Sequence, residues 1–185
     1  MKERINVKRI TITALFTAVI FVTTAFVKFP IALGYVHVGD AFILLGSFIL
    51  PPFYSIIASI IGSVLADVMA GYLIYAPATL IAKGGMALVA SLFFYKKTTV
   101  LRFLLGAIIS SMIMVAVYFI FEGIFYGWGL AVSNLPMQFV QPGIALVLSG
   151  AIILSLGKVA YISKIKSEIS TKSTKQVPQN AKNGD

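Results

Sequence analysis

The sequence has no cysteine, one histidine and one tryptophan in 185 residues, and only 11% of it is charged. Without cysteine there is no disulfide, no thiolate metal site and no cysteine nucleophile. A single histidine cannot build a multi-histidine zinc site, so no metal is expected. No Gly-rich phosphate loop ending in Gly-Lys-Ser/Thr is present, and neither is HExxH, GxSxG or a pair of neighbouring carboxylates. ATP hydrolysis by a phosphate loop is excluded, and no catalytic constellation or cofactor site is found. There is no regular row of intramembrane arginines either, which removes a voltage sensor.

What remains is apolar. Hydrophobic residues make up 59% of the chain and the mean hydropathy is +0.97, whereas a soluble domain runs near 45–50% apolar and about 25% charged. The apolar residues form continuous runs long enough to cross a bilayer. The chain therefore reads as an all-α integral membrane protein, not as a soluble enzyme or a nucleic-acid-binding domain. A formal charge of +9 does not change this, because the basic residues flank the apolar runs instead of forming one patch.

Six runs are expected to be transmembrane helices: Ile10 to Val27, Ala41 to Leu50, Phe53 to Gly71, Ala78 to Tyr95, Leu101 to Phe121 and Pro136 to Ile162. The first follows a basic leader, residues 1–9. It is longer than a signal-peptide core and lacks a small-x-small cleavage site, so it reads as a span. The second is short and stops at Pro51-Pro52, as a short or tilted span would. Residues 10–166 make up the membrane domain. Beyond about Ser167 the chain turns polar without apolar periodicity and is expected to be a disordered tail, residues 167–185.

Six spans put both termini on one side. Lys2, Arg4, Lys8 and Arg9, then Lys96, Lys97 and Arg102, then Lys158, Lys164 and Lys166 all fall there, and the positive-inside rule makes it cytoplasmic. On the outer side, two long loops are expected, Lys28 to Asp40 and Glu122 to Leu135. They carry Tyr35, His37, Tyr126, Trp128 and Asn134, as an interfacial aromatic belt or as a site open to the exterior.

Ionisable residues inside spans are costly and mark candidate sites. Asp67 lies about 6 Å below the outer end of the third span and Lys83 about 9 Å below that of the fourth, at 1.5 Å per residue. Similar depth on adjacent helices predicts an Asp67–Lys83 ion pair, which either locks the hairpin of helices or holds Lys83 toward a ligand. Asn134, Gln138 and Gln141, spaced i, i+4 and i+7, place three amides in one helical stripe. That stripe faces the protein interior, as helix–helix hydrogen bonding or as part of a cavity wall. Glu122 joins this layer from the end of the fifth span, unless it sits among headgroups. Asp40, following His37-Val-Gly, is expected to cap the second helix, and His37 either contacts a ligand or lies at the interface.

Small residues mark contact faces. Ser59, Gly62, Ala66 and Ala70 on the third span, and Gly143, Gly150 and Gly157 on the sixth, are expected to serve internal packing. Ala14 and Ala18, on the first helix, form a small-xxx-small pair suited to binding a second membrane protein.

Ala14-x-x-x-Ala18, Tyr35-Val-His-Val-Gly-Asp-Ala and Ala66-Asp-x-x-x-Gly-Tyr-x-x-Tyr-Ala-Pro-Ala-Thr-x-x-x-Lys83-Gly resemble the substrate-binding S components of energy-coupling factor (ECF) vitamin transporters. The resemblance runs from about Ile10 to Lys166 and is most specific over Ala66 to Gly84. It looks closest to the riboflavin, pyridoxine or hydroxymethylpyrimidine branch. It implies capture of a small vitamin from outside, in the plasma membrane of a bacterium, and docking onto a transmembrane coupling subunit driven by two ATPases. Toppling in the membrane would then carry the ligand inward. By match, Ala14 and Ala18 take the docking role and Lys83 a place in the binding layer.

The expected ligand contacts are Lys83, Glu122, Asn134, Gln138 and Gln141, with Asp67 orienting Lys83, His37 nearby, and Tyr75 or Trp128 offering ring stacking. Two other readings stay open at this point. One is a ligand-free assembly subunit in which the polar layer only joins helices. The other is a stand-alone secondary transporter, which the lack of an inverted-repeat signal disfavours.

Overall fold

The computed structural model describes residues 7–95 and 99–156. The leader before Val7, most of the basic residues from which a cytoplasmic side is expected, and the polar tail lie outside the described residues. Among the described residues six α-helices follow one another: α1 (Val7–Phe26), α2 (Gly39–Ile49), α3 (Pro52–Met69), α4 (Ala76–Phe94), α5 (Val100–Tyr126) and α6 (Trp128–Leu156). Between α1 and α2 lies a small antiparallel hairpin, β1 (Lys28–Pro30) and β2 (Tyr35–His37), in the register Lys28↔His37, Phe29↔Val36 and Pro30↔Tyr35. The sequence reading expected a plain loop there. The hairpin closes through Gly34, whose φ of 88° suits glycine.

Five of the helices are long and apolar enough to cross a membrane, and exposed side chains such as Leu101, Ile108, Ile120 and Ile124 on α5 are what a lipid-facing surface requires. The chain is a multi-pass membrane protein. The remaining helix, α2, has 11 residues, or about 16 Å at 1.5 Å per residue, half the hydrocarbon thickness of ~30 Å. Its apolar character has another cause. It packs against α1, α3, α4 and α6, and every residue from Gly39 to Ile49 except Phe42 is buried.

The close approach of α1 and α3 depends on small residues. A Cβ added at Gly62 would stand 2.8 Å from the Thr17 carbonyl oxygen and 3.0 Å from the Ile20 side chain. Ser59 and Ala66, on the same stripe, are buried as well. The stripe on α6 behaves differently from the expectation. Gly150 packs on the Phe103 ring, but Gly143 is exposed with nothing near its Cβ position, and Gly157 lies outside the described residues.

The expected long loop from Glu122 to Leu135 is absent. Helix α5 continues to Tyr126, Gly127 alone breaks the chain with a φ of 91°, and α6 begins at Trp128. Pro136, expected to start the sixth helix, lies inside it with Pro142. Residues 128–135 are helical although they include weak helix formers such as Gly129 and Asn134, and Gly127 alone makes the turn. The prolines only remove the helical N–H bonds that would reach the carbonyls of Val132 and Gln138.

One end of the bundle carries the hairpin, the 3-10 turn Leu73–Tyr75 and the α5–α6 break. Toward the other end, Leu44, Leu50, Phe94 and Phe103 fill the centre with at most 2% exposure, and the Phe94 and Phe103 rings lie 5.3 Å apart.

Candidate functional site

A cavity of about 60 Å³ lies beneath the hairpin. The hairpin roofs it with Leu33, Tyr35 and His37. Asp67 on α3, Tyr72, Tyr75, and Thr79 on α4 form one wall. Met114, Tyr118 and Glu122 on α5 and Asn134, Gln138 and Gln141 on α6 form the other. The amide stripe therefore faces the interior, as its spacing requires. Met114, Tyr118 and Glu122 are a second i, i+4, i+8 stripe, which sequence reading had not singled out beyond Glu122.

Glu122 is almost fully buried. Asn134 Nδ2 donates to both of its carboxylate oxygens at 3.1 Å, and Gln138 Nε2 donates to Oε2 at 2.7 Å. The Tyr75 hydroxyl approaches Oε1 at 3.5 Å. Asn134 also donates to the Leu33 carbonyl at 3.3 Å, which fastens the hairpin tip to α6. With both amide nitrogens turned toward the carboxylate, Asn134 Oδ1 and Gln138 Oε1 are left buried and without a hydrogen-bond partner.

Asp67 is held on both oxygens by hydroxyls, from Tyr35 at 2.6 Å and from Thr79. Thr79 has one hydroxyl hydrogen and gives it to Asp67, so its 2.9 Å contact with the Tyr118 hydroxyl is a bond that Tyr118 donates. Asp67 does not pair with Lys83, contrary to the expectation. Counted from the helix ends, Asp67 lies two residues before Met69 and Lys83 seven after Ala76, a mismatch in depth of about 7 Å. Thr79 is only three residues into α4 and meets Asp67 at its own level.

Lys83 instead makes its ion pair with Asp40, Nζ to Oδ1 at 2.6 Å, with the two side chains 1% and 0% exposed. Its Nζ also lies 3.1 Å from Met114 Sδ and 5.5 Å from the centre of the Tyr118 ring. Lys83 does not line the cavity; it sits below it. Asp40 is not the helix cap expected of it. Val38 holds the cap position of α2 without a side-chain bond, and the Asp40 carboxylate turns inward to Lys83 and to Gln141 Nε2, 2.5 Å from Oδ2. Gln141 Oε1 accepts from the His37 backbone N–H at 3.1 Å, so one side chain ties the hairpin to the buried pair.

His37 is buried, and its Nδ1 accepts from the Gly39 N–H at 3.1 Å, which leaves the ring proton on Nε2 in the neutral form. Burial, with the charge of Lys83, pushes its pKa down to about 3. Burial also raises the Tyr35 hydroxyl well above its usual value, and the adjacent Asp67 carboxylate adds to this.

Tyr75 reaches the cavity, within an aromatic group that includes Tyr72 at 6.0 Å and the stacked Tyr126 at 6.1 Å. Trp128 does not. It lies outside the cavity, 55% exposed, with its indole 5.6 Å from the Phe119 ring and over Gly123, where a Cβ would meet it at 2.4 Å. Ala14 and Ala18 lie elsewhere, in an apolar groove of about 490 Å³ between α1 and α3 that Ile10, Phe21, Tyr54 and Leu65 also line.

Comparison with known proteins agrees with this architecture. Residues 4–158 match the family described as ECF-type riboflavin transporter, S component. The chain is 34% identical over 147 residues to the thiamine precursor transporter HmpT of Lactococcus lactis subsp. cremoris (strain MG1363), covering 78% of this chain and 84% of that protein. It is 33% identical over 133 residues, 71% of this chain and 89% of the other, to a Pyrococcus woesei protein described as "Uncharacterized protein in gap 3'region". A polar, tyrosine-lined cavity at one end of an apolar helical bundle is what a membrane subunit needs to hold a small polar solute, and the chain belongs to the S component family of ECF-type transporters, as a substrate-binding subunit for vitamin uptake.

Proposed function

We propose that this S component captures a hydroxymethyl-aminopyrimidine, a precursor of thiamine, in the cavity beneath the hairpin. The carrying observation is the balance of hydrogen-bonding groups. Asp67 and Glu122 are carboxylates, and the unmatched side-chain atoms beside them, Asn134 Oδ1 and Gln138 Oε1, are acceptors. A ligand that satisfies such a wall must be rich in donors, and an exocyclic amino group and a hydroxymethyl group supply three hydrogens on one small ring. A cavity of about 60 Å³ is smaller than the roughly 150 Å³ that holds a benzene-sized ring, so the roof gives way a little even for a single ring, and the tyrosines around it offer faces to stack on. One relative is named as a thiamine precursor transporter, which supports the same choice. Glu122, Asn134, Gln138, Gln141, Asp67, Tyr75 and His37 are the proposed contacts, with Lys83 acting from below through Asp40.

In the same reading, all six helices together cross the bacterial plasma membrane, both termini are cytoplasmic and the hairpin end faces outward. The groove holding Ala14 and Ala18 docks on the transmembrane coupling subunit, which works with two ATPases. Riboflavin is the second reading, favoured by the description of the matching family. It requires the hairpin to move aside for a three-ring ligand and its ribityl chain.

The test is equilibrium binding by the purified protein in detergent to the aminopyrimidine, pyridoxine, thiamine and riboflavin. The aminopyrimidine is expected to bind most tightly. Tight riboflavin binding with none of the aminopyrimidine would overturn the first reading in favour of the second, and a protein that binds none of them would fit a ligand-free subunit.

A further inference from the structure

The cavity has more negative charge than its surroundings balance. Asp67 and Glu122 both line it, and every hydrogen bond they accept comes from a neutral group. For Asp67 these are the Tyr35 hydroxyl on the hairpin and the Thr79 hydroxyl on α4, itself backed by Tyr118 on α5. For Glu122 they are two amides on α6 and the Tyr75 hydroxyl, which stacks on Tyr126. Amide nitrogens only donate, so this arrangement is matched to an ionised Glu122.

The nearby cations serve the Asp67 side of the cavity. Lys83 is paired with Asp40 and Lys28 lies 4.8 Å from the Tyr35 ring centre; both act electrostatically on Asp67, whereas among the described residues no cation does so on Glu122. Removing the Glu122 charge from water without a counter-charge is costly. Tyrosine faces beside carboxylates are, in turn, a favourable surrounding for an organic cation.

We propose that the site holds its ligand as a cation, with the ring of the aminopyrimidine protonated and its ring N–H directed at Glu122. This rests on the aminopyrimidine reading and deepens it. Aminopyrimidines are weak bases that take a proton on a ring nitrogen. The neutral ring gains one proton from solvent, forms one N–H bond and carries one positive charge, which Glu122 balances. The amino and hydroxymethyl hydrogens are then free for the acceptors of Asn134 and Gln138. Riboflavin lacks such a basic ring nitrogen, so charge state becomes a basis of selection against it.

The experiment uses the full chain in detergent with the aminopyrimidine labelled with nitrogen-15 in its ring, at a pH well above the free ligand's own protonation range. The bound ring nitrogen is expected at the resonance position of the free ligand in acid. A bound resonance at the neutral position overturns this inference while leaving capture of the aminopyrimidine standing. The absence of any bound resonance overturns both. In Glu122→Gln the affinity is expected to fall roughly tenfold to a hundredfold, the range of a hydrogen bond to a charged group, with the bound ring returning to its neutral position. A ring that stays protonated in that variant removes Glu122 from the role, and should the variant not fold, the wild-type resonance alone decides.

Discussion

Lys83 Nζ lies 2.6 Å from Asp40 Oδ1, and the pair is buried between α2 and α4 directly under the binding layer. Removing one partner leaves the other charged and dehydrated. Lys83→Met is expected to cost about 3–5 kcal/mol of stability, while the double variant Asp40→Asn/Lys83→Met should recover most of the loss. Thermal unfolding in detergent measures both. A double variant no more stable than the single would show that the pair is not the unit at work.

Gln141 bonds Asp40 with its nitrogen and the His37 backbone with its oxygen. In Gln141→Leu both bonds are lost and the His37 N–H is left unmatched, at about 1–3 kcal/mol for a buried group. The expected result is faster hydrogen exchange over residues 28–38 and ligand affinity reduced about tenfold or more. Unchanged exchange in the hairpin would mean that Asn134 and Asp67 hold it without help.

His37 gives the protein a pH response of definite sign. Its pKa is about 3 in the folded protein against 6.5 as the ordinary value. Above 6.5 neither state is protonated and the full stability is present. As pH falls below that value the unfolded chain takes up a proton that the folded one does not, and stability declines by up to about 1.4 kcal/mol per unit. The decline ends near pH 3. His37→Asn retains a side-chain acceptor for the Gly39 N–H and should flatten this part of the profile in thermal melts.

Docking is tested apart from binding. Ala14→Leu and Ala18→Leu fill the groove between α1 and α3 without touching the cavity. Co-purification with the coupling subunit is expected to be lost while ligand affinity is unchanged. Normal assembly with both leucines in place would remove the groove from the interface.

The sequence was most informative where a periodic pattern acts within one helix. The Asn134, Gln138 and Gln141 stripe is inward-facing because amides in lipid would be unpaired, and spacing alone shows it. Pairings between helices were less legible. Choosing Asp40 over Asp67 for Lys83 depends on where α4 starts and on α2 lying in the middle of the bundle, and neither follows from hydropathy, since a buried helix and a lipid-facing one are equally apolar. Trp128 was placed in a loop because glycine, tryptophan and asparagine cluster there, yet Gly127 alone makes the turn. Thr79 and Tyr118 had a readable signal, each being one helical turn before an ionisable residue, Lys83 and Glu122.

The packed centre around Leu44, Leu50, Phe94 and Phe103 makes the bundle a cup with a solid base. A charged or strongly polar solute resting in the cup has no wetted route downward through these side chains, because crossing them would strip it of every hydrogen bond. Its way out is the rim by which it came in. In the proposed reading, where the resemblance to S components implies toppling, the vessel delivers its contents by being tipped over, so the work of transport falls on turning a whole protein in the bilayer and not on opening a channel through it.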